Sequence, residues 1–500
     1  MEAKIQRMKG ITLVLIGGTV LASAGARDEQ PTSGLTTAAL AGAWQGMLSH
    51  AGETQTYGME LEPAGDGTLR VKVSVPILYL AHREMGQLAP QIDGNNVSFG
   101  PFKFLYDADA KTLSGTMPGM IVPVYEVPVR LHRVDHLDLP ERPPLVAPLA
   151  SPVWTFDAGS PLWPGARFAE GTVYAGADDG SLHALDARSG RERWSFRAGG
   201  AIRTRPTVAG ADVFFQADDG VLYRLDARTG GERWHVKVAE KPAVRLGPGD
   251  PKSRFDDFGA DVTEAGGRLF VGTHDGRLLA VDPAQGRRVW EFAARDSVVA
   301  APAVDSGRVF FGSFDGNVYA LDTATGQLLW KHDMKAPVTS TPAIDRDLLL
   351  IGSRAYDFEA IRSSNGETAW ARYIWFSWVE SSATVRDGVA YVGSSDAAAL
   401  FAFDARNGRT RWRTDVYGWA WGRPSVTDRR VFVGTAAENG YLIDHRAGII
   451  ALDRGSGRPL WHYDVKATAT GTYGFPGSSA VGEELVFFAG LDGHVYAFKP

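Results

Sequence analysis

The chain has 500 residues, 44% of them hydrophobic, a formal net charge of -6 and no cysteine. That length calls for two or three domains or one large repeat array, and the negative balance argues against nucleic acid or an anionic membrane surface as a partner. The missing cysteine excludes disulfides, Cys-ligated zinc, c-type haem attachment, a Cys nucleophile and a lipidated-Cys anchor.

The first residues read as an export signal. Lys4, Arg7 and Lys9 give a basic start, 11–21 is an apolar run, and Ala22-Ser23-Ala24 and Ala24-Gly25-Ala26 offer small-residue cleavage sites. The run is too short to span a bilayer. Residues 1–26 are therefore expected to be a signal peptide, and the protein periplasmic or secreted, with no transmembrane segment and no lipid anchor.

Residues 35–135 show alternating strand patterns at 57–61, 69–75, 97–105 and 124–131, with turns at Gly58, Gly65-Asp66-Gly67, Asp93-Gly94 and Pro118-Gly119. They predict a small antiparallel β-sheet or barrel-like accessory domain. Its opening, Gly42-x-Trp44, resembles a lipocalin start, and the phrase Leu40, Gly42, Trp44, Gly46 resembles the front β domains of some secreted hydrolases. Residues 136–152 contain Pro140, Pro143, Pro144, Pro148 and Pro152 and read as a stiff, extended linker.

From 153 to 500 one phrase recurs, Ala-x-Asp-x-x-x-Gly-x-x-x-Trp. It is complete at Ala184/Asp186/Gly190/Trp194, Ala280/Asp282/Gly286/Trp290, Ala320/Asp322/Gly326/Trp330, Ala402/Asp404/Gly408/Trp412 and Ala451/Asp453/Gly457/Trp461. Arg224 replaces the Ala of one further copy and Arg362 the Asp of another. The Asp suits a tight turn whose amides it accepts, the Gly a positive φ, and the Trp a wedge between neighbouring units. Ahead of each phrase stand short strands broken by Asp-Gly, a strong hairpin signal. A four-stranded unit of about 40 residues is a propeller blade.

Strand pairs begin near Val173, Val213, Leu269, Val309, Leu349, Val389, Val431 and Leu485, which gives eight blades. The last one lacks its Trp strand, and Val153-Trp154-Thr155-Phe156 supplies it from the other end. The prediction is an all-β chain: an eight-bladed β-propeller whose N-terminal strand closes the last blade, preceded by the small antiparallel β domain. Closure removes the free edges of an open array.

These phrases resemble the tryptophan-docking repeats of the PQQ-type (quinoprotein-like) propellers. That resemblance implies one of two functions. Quinoprotein alcohol or sugar dehydrogenases hold pyrroloquinoline quinone (PQQ) and calcium at the propeller mouth, with PQQ stacked between a Trp and a vicinal disulfide. BamB-like propellers are non-catalytic scaffolds. This chain has neither the disulfide nor a haem motif, and fold does not select between the branches.

Four inter-blade connections are elaborated. The one after Trp234 carries Arg254, Phe255 and the carboxylates Asp256, Asp257 and Asp261, candidate calcium ligands that lack EF-hand spacing. Those after Trp370 and Trp412 carry Trp375, Trp378, Glu380, Trp419, Trp421 and Arg423. The repeat does not need these indoles, so one shared aromatic binding area with an acidic and a basic anchor is expected. The fourth carries Tyr473 and Phe475, beside an expanded hairpin loop holding Asp444-His445, a candidate acid–base pair. Arg203 and Arg205 are candidate anion ligands. The leading expectation is an exported, non-catalytic propeller that binds a protein, peptide or glycan on this face, with no cofactor. The alternative is a PQQ- and calcium-dependent dehydrogenase without the usual disulfide.

Overall fold

Each repeat folds as a sequential four-stranded antiparallel sheet, and the fourth blade shows why. Its strands are Ala303–Asp305, Arg308–Gly312, Asn317–Asp322 and Leu328–Asp333. Asp322 Oδ1 accepts the amides of Ala324 and Thr325 at 3.0 and 2.8 Å, which tightens the turn into the outer strand. Gly326 follows at φ +73°, and a Cβ there would lie 2.7 Å from the indole of Trp290, one blade back. The glycine thus both closes the turn and provides a flat surface for the neighbouring ring. Trp290 Nε1 donates to the Thr323 carbonyl at 3.0 Å. Trp330 repeats this on the fifth blade, against Gly366 and the Ser363 carbonyl. Seven of the junctions carry this clip, from Trp154, Trp194, Trp234, Trp290, Trp330, Trp370 and Trp412, whereas Trp461 of blade 7 meets blade 8 by stacking on Phe498.

The computed structural model describes residues 35–118, 125–247, 250, 252–469 and 471–500. The expected signal peptide, and Gly119 and Val124 of the expected turn and strand, lie outside them. Among the described residues there are eight blades, seven of four strands and one, blade 7, with a fifth short strand, Thr472–Gly474. The eighth is Ala480–Val481, Val486–Ala489, His494–Phe498 and Trp154–Asp157. Trp154 pairs with Ala497, and its ring rests on Gly190 of the first blade. The ring closes by the N-terminal strand, as the split blade predicts.

The front region is a nine-stranded antiparallel sheet. Its first strand, Gly42–His50, lies between Glu53–Ala64 and the last strand, Glu126–Val134. The two edges are Leu80–Leu88 and Gln91–Asp93. Only Ala89 and Pro90 separate these strands in sequence, so the sheet must curl until its edges approach one another. Trp44, Tyr57, Leu61, Phe99, Phe104 and Leu131 fill the inside. The expected strand 97–105 is two strands, Asn96–Phe99 and Phe102–Asp107, divided by Gly100 at φ +55°.

This half-barrel shares one apolar core with the propeller. Its residues are continuous with Leu350, Phe358, Tyr373, Trp375, Phe376 and Val379 of blade 5 and its connection to blade 6. Polar contacts flank that core. Tyr125 donates to Asp357 at 2.9 Å, and the His50 ring lies 4.6 Å from Tyr125 and 4.4 Å from Tyr373. The linker is bound along its length rather than being a free spacer. Arg142 forms a two-pronged pair with Asp415, both bonds 2.9 Å, its guanidinium over the rings of Tyr79 and Tyr417. Ala150 then donates to the His462 carbonyl on the outer strand of blade 7.

Candidate functional site

The turns between the second and third strands of each blade share one face of the ring with the inter-blade connections, and one position of the repeat lies at its central mouth. This is the residue before each Asp-Gly turn, or its equivalent: Asp178, Asp218, His274, Phe314 and Arg354 in blades 1 to 5. The long connection between blades 2 and 3 lies across that mouth. Arg203 Nη1 donates to the Asp257 carbonyl at 3.0 Å while Nη2 holds Asp178 at 2.9 Å. Arg245 clamps Asp218 with two bonds, 2.7 and 3.0 Å, and donates to the Asp256 and Phe258 carbonyls. From the far side Arg354 donates to the carbonyls of Arg254 and Phe255, at 2.6 and 2.7 Å, and pairs with Glu380 at 2.7 Å. Phe258 meets Trp163 edge-on and Phe255 meets Trp378. Residues 254–258 therefore plug the mouth, tied to opposite sides of the ring.

The carboxylates proposed as calcium ligands go to different partners. Asp256 lies 3.6 Å from His274, Asp257 lies 3.9 Å from Arg203, and Asp261 accepts the Arg205 amide at 2.6 Å. Burial pushes Asp257 up to about 6 against the pull of Arg203 and Arg245. No cluster of three or more metal-ligating side chains occurs among the described residues. The mouth does not fit PQQ and calcium: its arginines and carboxylates neutralise one another, and Trp163 is covered by Arg203, 4.7 Å from its centroid, and by Phe258.

The expected aromatic area divides. Trp375, 3% exposed, packs into the core shared with the front domain. Trp378 is half-buried at the plug, its ring 4.4 Å from the Arg354 guanidinium. Trp419 and Trp421 stack at 4.8 Å, but Trp419 is 4% exposed. Its Nε1 donates to Asp396 at 3.0 Å, and Tyr441 donates to the other oxygen of that carboxylate. The four indoles thus serve three places rather than one floor, because two of them cement the chain to itself. Trp419→Ala is accordingly expected to cost about 3–5 kcal/mol, as much as Trp330→Ala, since both remove a buried indole. Matched thermal melts check this.

Tyr473 and Phe475 are also buried. Tyr473 lies on the short strand Thr472–Gly474, which pairs with the extended strand Arg430–Glu438 of blade 7. His445 packs against Trp419, and burial pushes it down to about 3; the Asp444 carbonyl accepts Arg142. They do not form an acid–base pair. Arg423 and Arg205 line a cavity of about 220 Å³ with Thr384, Ser425, Ser479 and Val481. These residues come from the inner ends of blades 2, 6, 7 and 8, so the cavity is the central channel. Sequence reading missed Arg167, Arg245, Arg354, Trp163 and Asp396. Variation at the mouth-facing repeat position would have pointed to Arg354.

The family model for outer membrane protein assembly factor BamB matches residues 149–372 and 361–500. A search of curated proteins found no match. Among solved structures, BamB from Moraxella catarrhalis is 20% identical with a TM-score of 0.52, over 70% of this chain and 100% of that one. A quinohemoprotein alcohol dehydrogenase from Comamonas testosteroni is 14% identical, TM-score 0.53, over 70% of this chain and 76% of its own. Saccharomyces cerevisiae Sqt1 is 13% identical, TM-score 0.54, over 70% and 99%. Identities this low establish the propeller fold alone, whereas the family model spans most of the chain. The chain belongs to the PQQ-type propeller family described as outer membrane protein assembly factor BamB.

Proposed function

We propose that this is an exported, non-catalytic propeller that binds a protein partner at its plugged mouth. The plug carries this reading. Residues 254–258 stand where a propeller enzyme would admit a cofactor, and they turn Phe255 outward, 47% exposed. Phe255 is held at φ +52° beside Trp378, with half-buried Trp163 and Trp421 and the exposed Arg254 on the same face. Arg and large aromatic rings supply most of the energy at protein interfaces, and a fixed, exposed ring loses little entropy on binding. Export rests on the N-terminal signal features, and the family resemblance to BamB supports a protein rather than a substrate as the occupant. The half-barrel covers the connections of blades 5 to 7, so the plug and its surrounding rings are the part of the elaborated face that remains for a peptide segment of the partner.

The test places a photo-crosslinking phenylalanine analogue at Phe255 in the full chain, in cells. A discrete protein adduct is expected, lost on Trp378→Ala and not formed by the same analogue at Val289, an exposed position on the outer rim of blade 3. Equal adducts at both positions would remove the mouth as the partner surface. Alcohol oxidation that depends on added PQQ and calcium would return the dehydrogenase reading.

A further inference from the structure

At the mouth, arginines are matched one to one with carboxylates: Arg203 with Asp178, Arg245 with Asp218, Arg354 with Glu380. Beneath the plug the balance is different. Arg205 at the entry to blade 2 and Arg423 at the entry to blade 7 line one cavity, and their charges, with that of Arg167 on the inner strand of blade 1, act on one carboxylate, Asp261. Asp261 Oδ2 is 3.7 Å from Arg205 Nε, a contact too long for a hydrogen bond. Neither Arg167 nor Arg423 makes a side-chain hydrogen bond to another described residue, and Arg167 Nε is buried and unpaired. Burial and then Arg205 lower Arg423 to about 10, with Arg167 acting the same way and Asp261 opposing them. Arg423 and Asp261 are reached by water yet enclosed by protein, as befits the wall of an internal channel.

Two surplus positive charges, three guanidiniums against one carboxylate, are costly in a narrow cavity unless something neutralises them. The three arginines come from segments far apart in sequence, so no single loop accounts for the cluster. We propose that the central channel beneath the plug is a binding site for a small oxyanion carrying two negative charges, held by Arg423 and Arg205 with the charge of Arg167 behind them. The lining supports that chemistry: guanidiniums donate to phosphate or carboxylate oxygens in pairs, and the 220 Å³ cavity accommodates an anion of a few heavy atoms with its remaining water. Asp261 accepts the Arg205 amide and so fixes the chain at the entry to blade 2. This inference is independent of the protein partner at the mouth.

The probes are inorganic phosphate and succinate, titrated calorimetrically into the full-length protein at constant ionic strength, with chloride as the control. Saturable one-to-one binding of one or both is expected; phosphate alone would identify a tetrahedral anion or phosphate ester, succinate alone a dicarboxylate. Arg423→Ala should weaken binding by about tenfold or more, the loss of a charge-assisted pair of hydrogen bonds. It should not unfold the protein, because it removes a half-buried charge whose side chain makes no hydrogen bond to another described residue. Asp261→Asn keeps an acceptor for the Arg205 amide, removes the competing negative charge and should tighten binding. Arg188→Ala, on an exposed turn of blade 1, should leave binding unchanged. Absence of saturable binding by both probes, or binding indifferent to both Arg423→Ala and Asp261→Asn, would overturn the site.

Discussion

A chain beginning at Gly159 is expected to melt far below one beginning at Ser151. Both lack the half-barrel and expose the same apolar surface on blades 5 and 6, so their difference isolates the closing strand. That strand supplies the pairs Trp154↔Ala497 to Asp157↔His494. It also brings the Trp154 ring onto Gly190, within 5.8 Å of Phe487, with Nε1 donating to the Ala187 carbonyl at 3.1 Å. Losing that indole alone should cost about 3 kcal/mol. Loss of the whole strand leaves His494–Phe498 as an unpaired edge and breaks the clip between blades 8 and 1, so the total should exceed about 5 kcal/mol. Trp154→Ala in the full chain, measured by denaturant unfolding, gives the first part separately. Equal melting of the two truncations would mean that the ring does not need this strand.

The blades were legible because their physics is local and repeated. Asp-Gly turns, the Asp322-type turn and the indole clip each recur within about 40 residues, and repetition separates signal from accident. The docking of the half-barrel was not legible. Tyr125 meets Asp357, and Arg142 meets Asp415, across more than two hundred residues. Aromatics outside the repeat carry the same compositional signal whether they face a partner or the chain's own front domain. For this reason Trp375 and Trp419 read as binding residues although their rings are buried. The strand Leu80–Leu88 escaped because it is an edge of the sheet and mostly exposed, so it lacks apolar alternation. The channel arginines were half visible: Arg205 was read as a candidate anion ligand and Arg423 stood in an elaborated connection, whereas Arg167 sits in an ordinary inner strand.

Stability is expected to fall between about pH 4 and pH 7 through two carboxyls, the half-buried Asp357 and the buried Asp396. Each is pushed up to about 7 from an ordinary 3.8, chiefly by burial. Tyr125 pulls Asp357 back and Glu359 pushes it further; Trp419 and Tyr441 pull Asp396 back. The sign follows from proton binding. The folded state keeps the proton to higher pH than the unfolded chain, so folding is favoured below the unfolded value, and the advantage is gone above the folded one. The loss is at most about 4 kcal/mol per group. Half-buried His274 and buried His445, both lowered to about 3, act oppositely by weakening the fold as pH falls below their ordinary range. The wild-type profile therefore mixes the two, and the variant difference is the clean measure. Asp357→Asn retains an acceptor for Tyr125 and cannot ionise. It should match wild type in melting temperature near pH 4 and exceed it at pH 8. Because Asp357 sits where the half-barrel meets blade 5, the wild-type linker should also be cut faster by protease at pH 8 than the variant's. A variant difference that stays constant from pH 4 to pH 8 would show that Asp357 is ionised throughout, and that Tyr125 outweighs its burial.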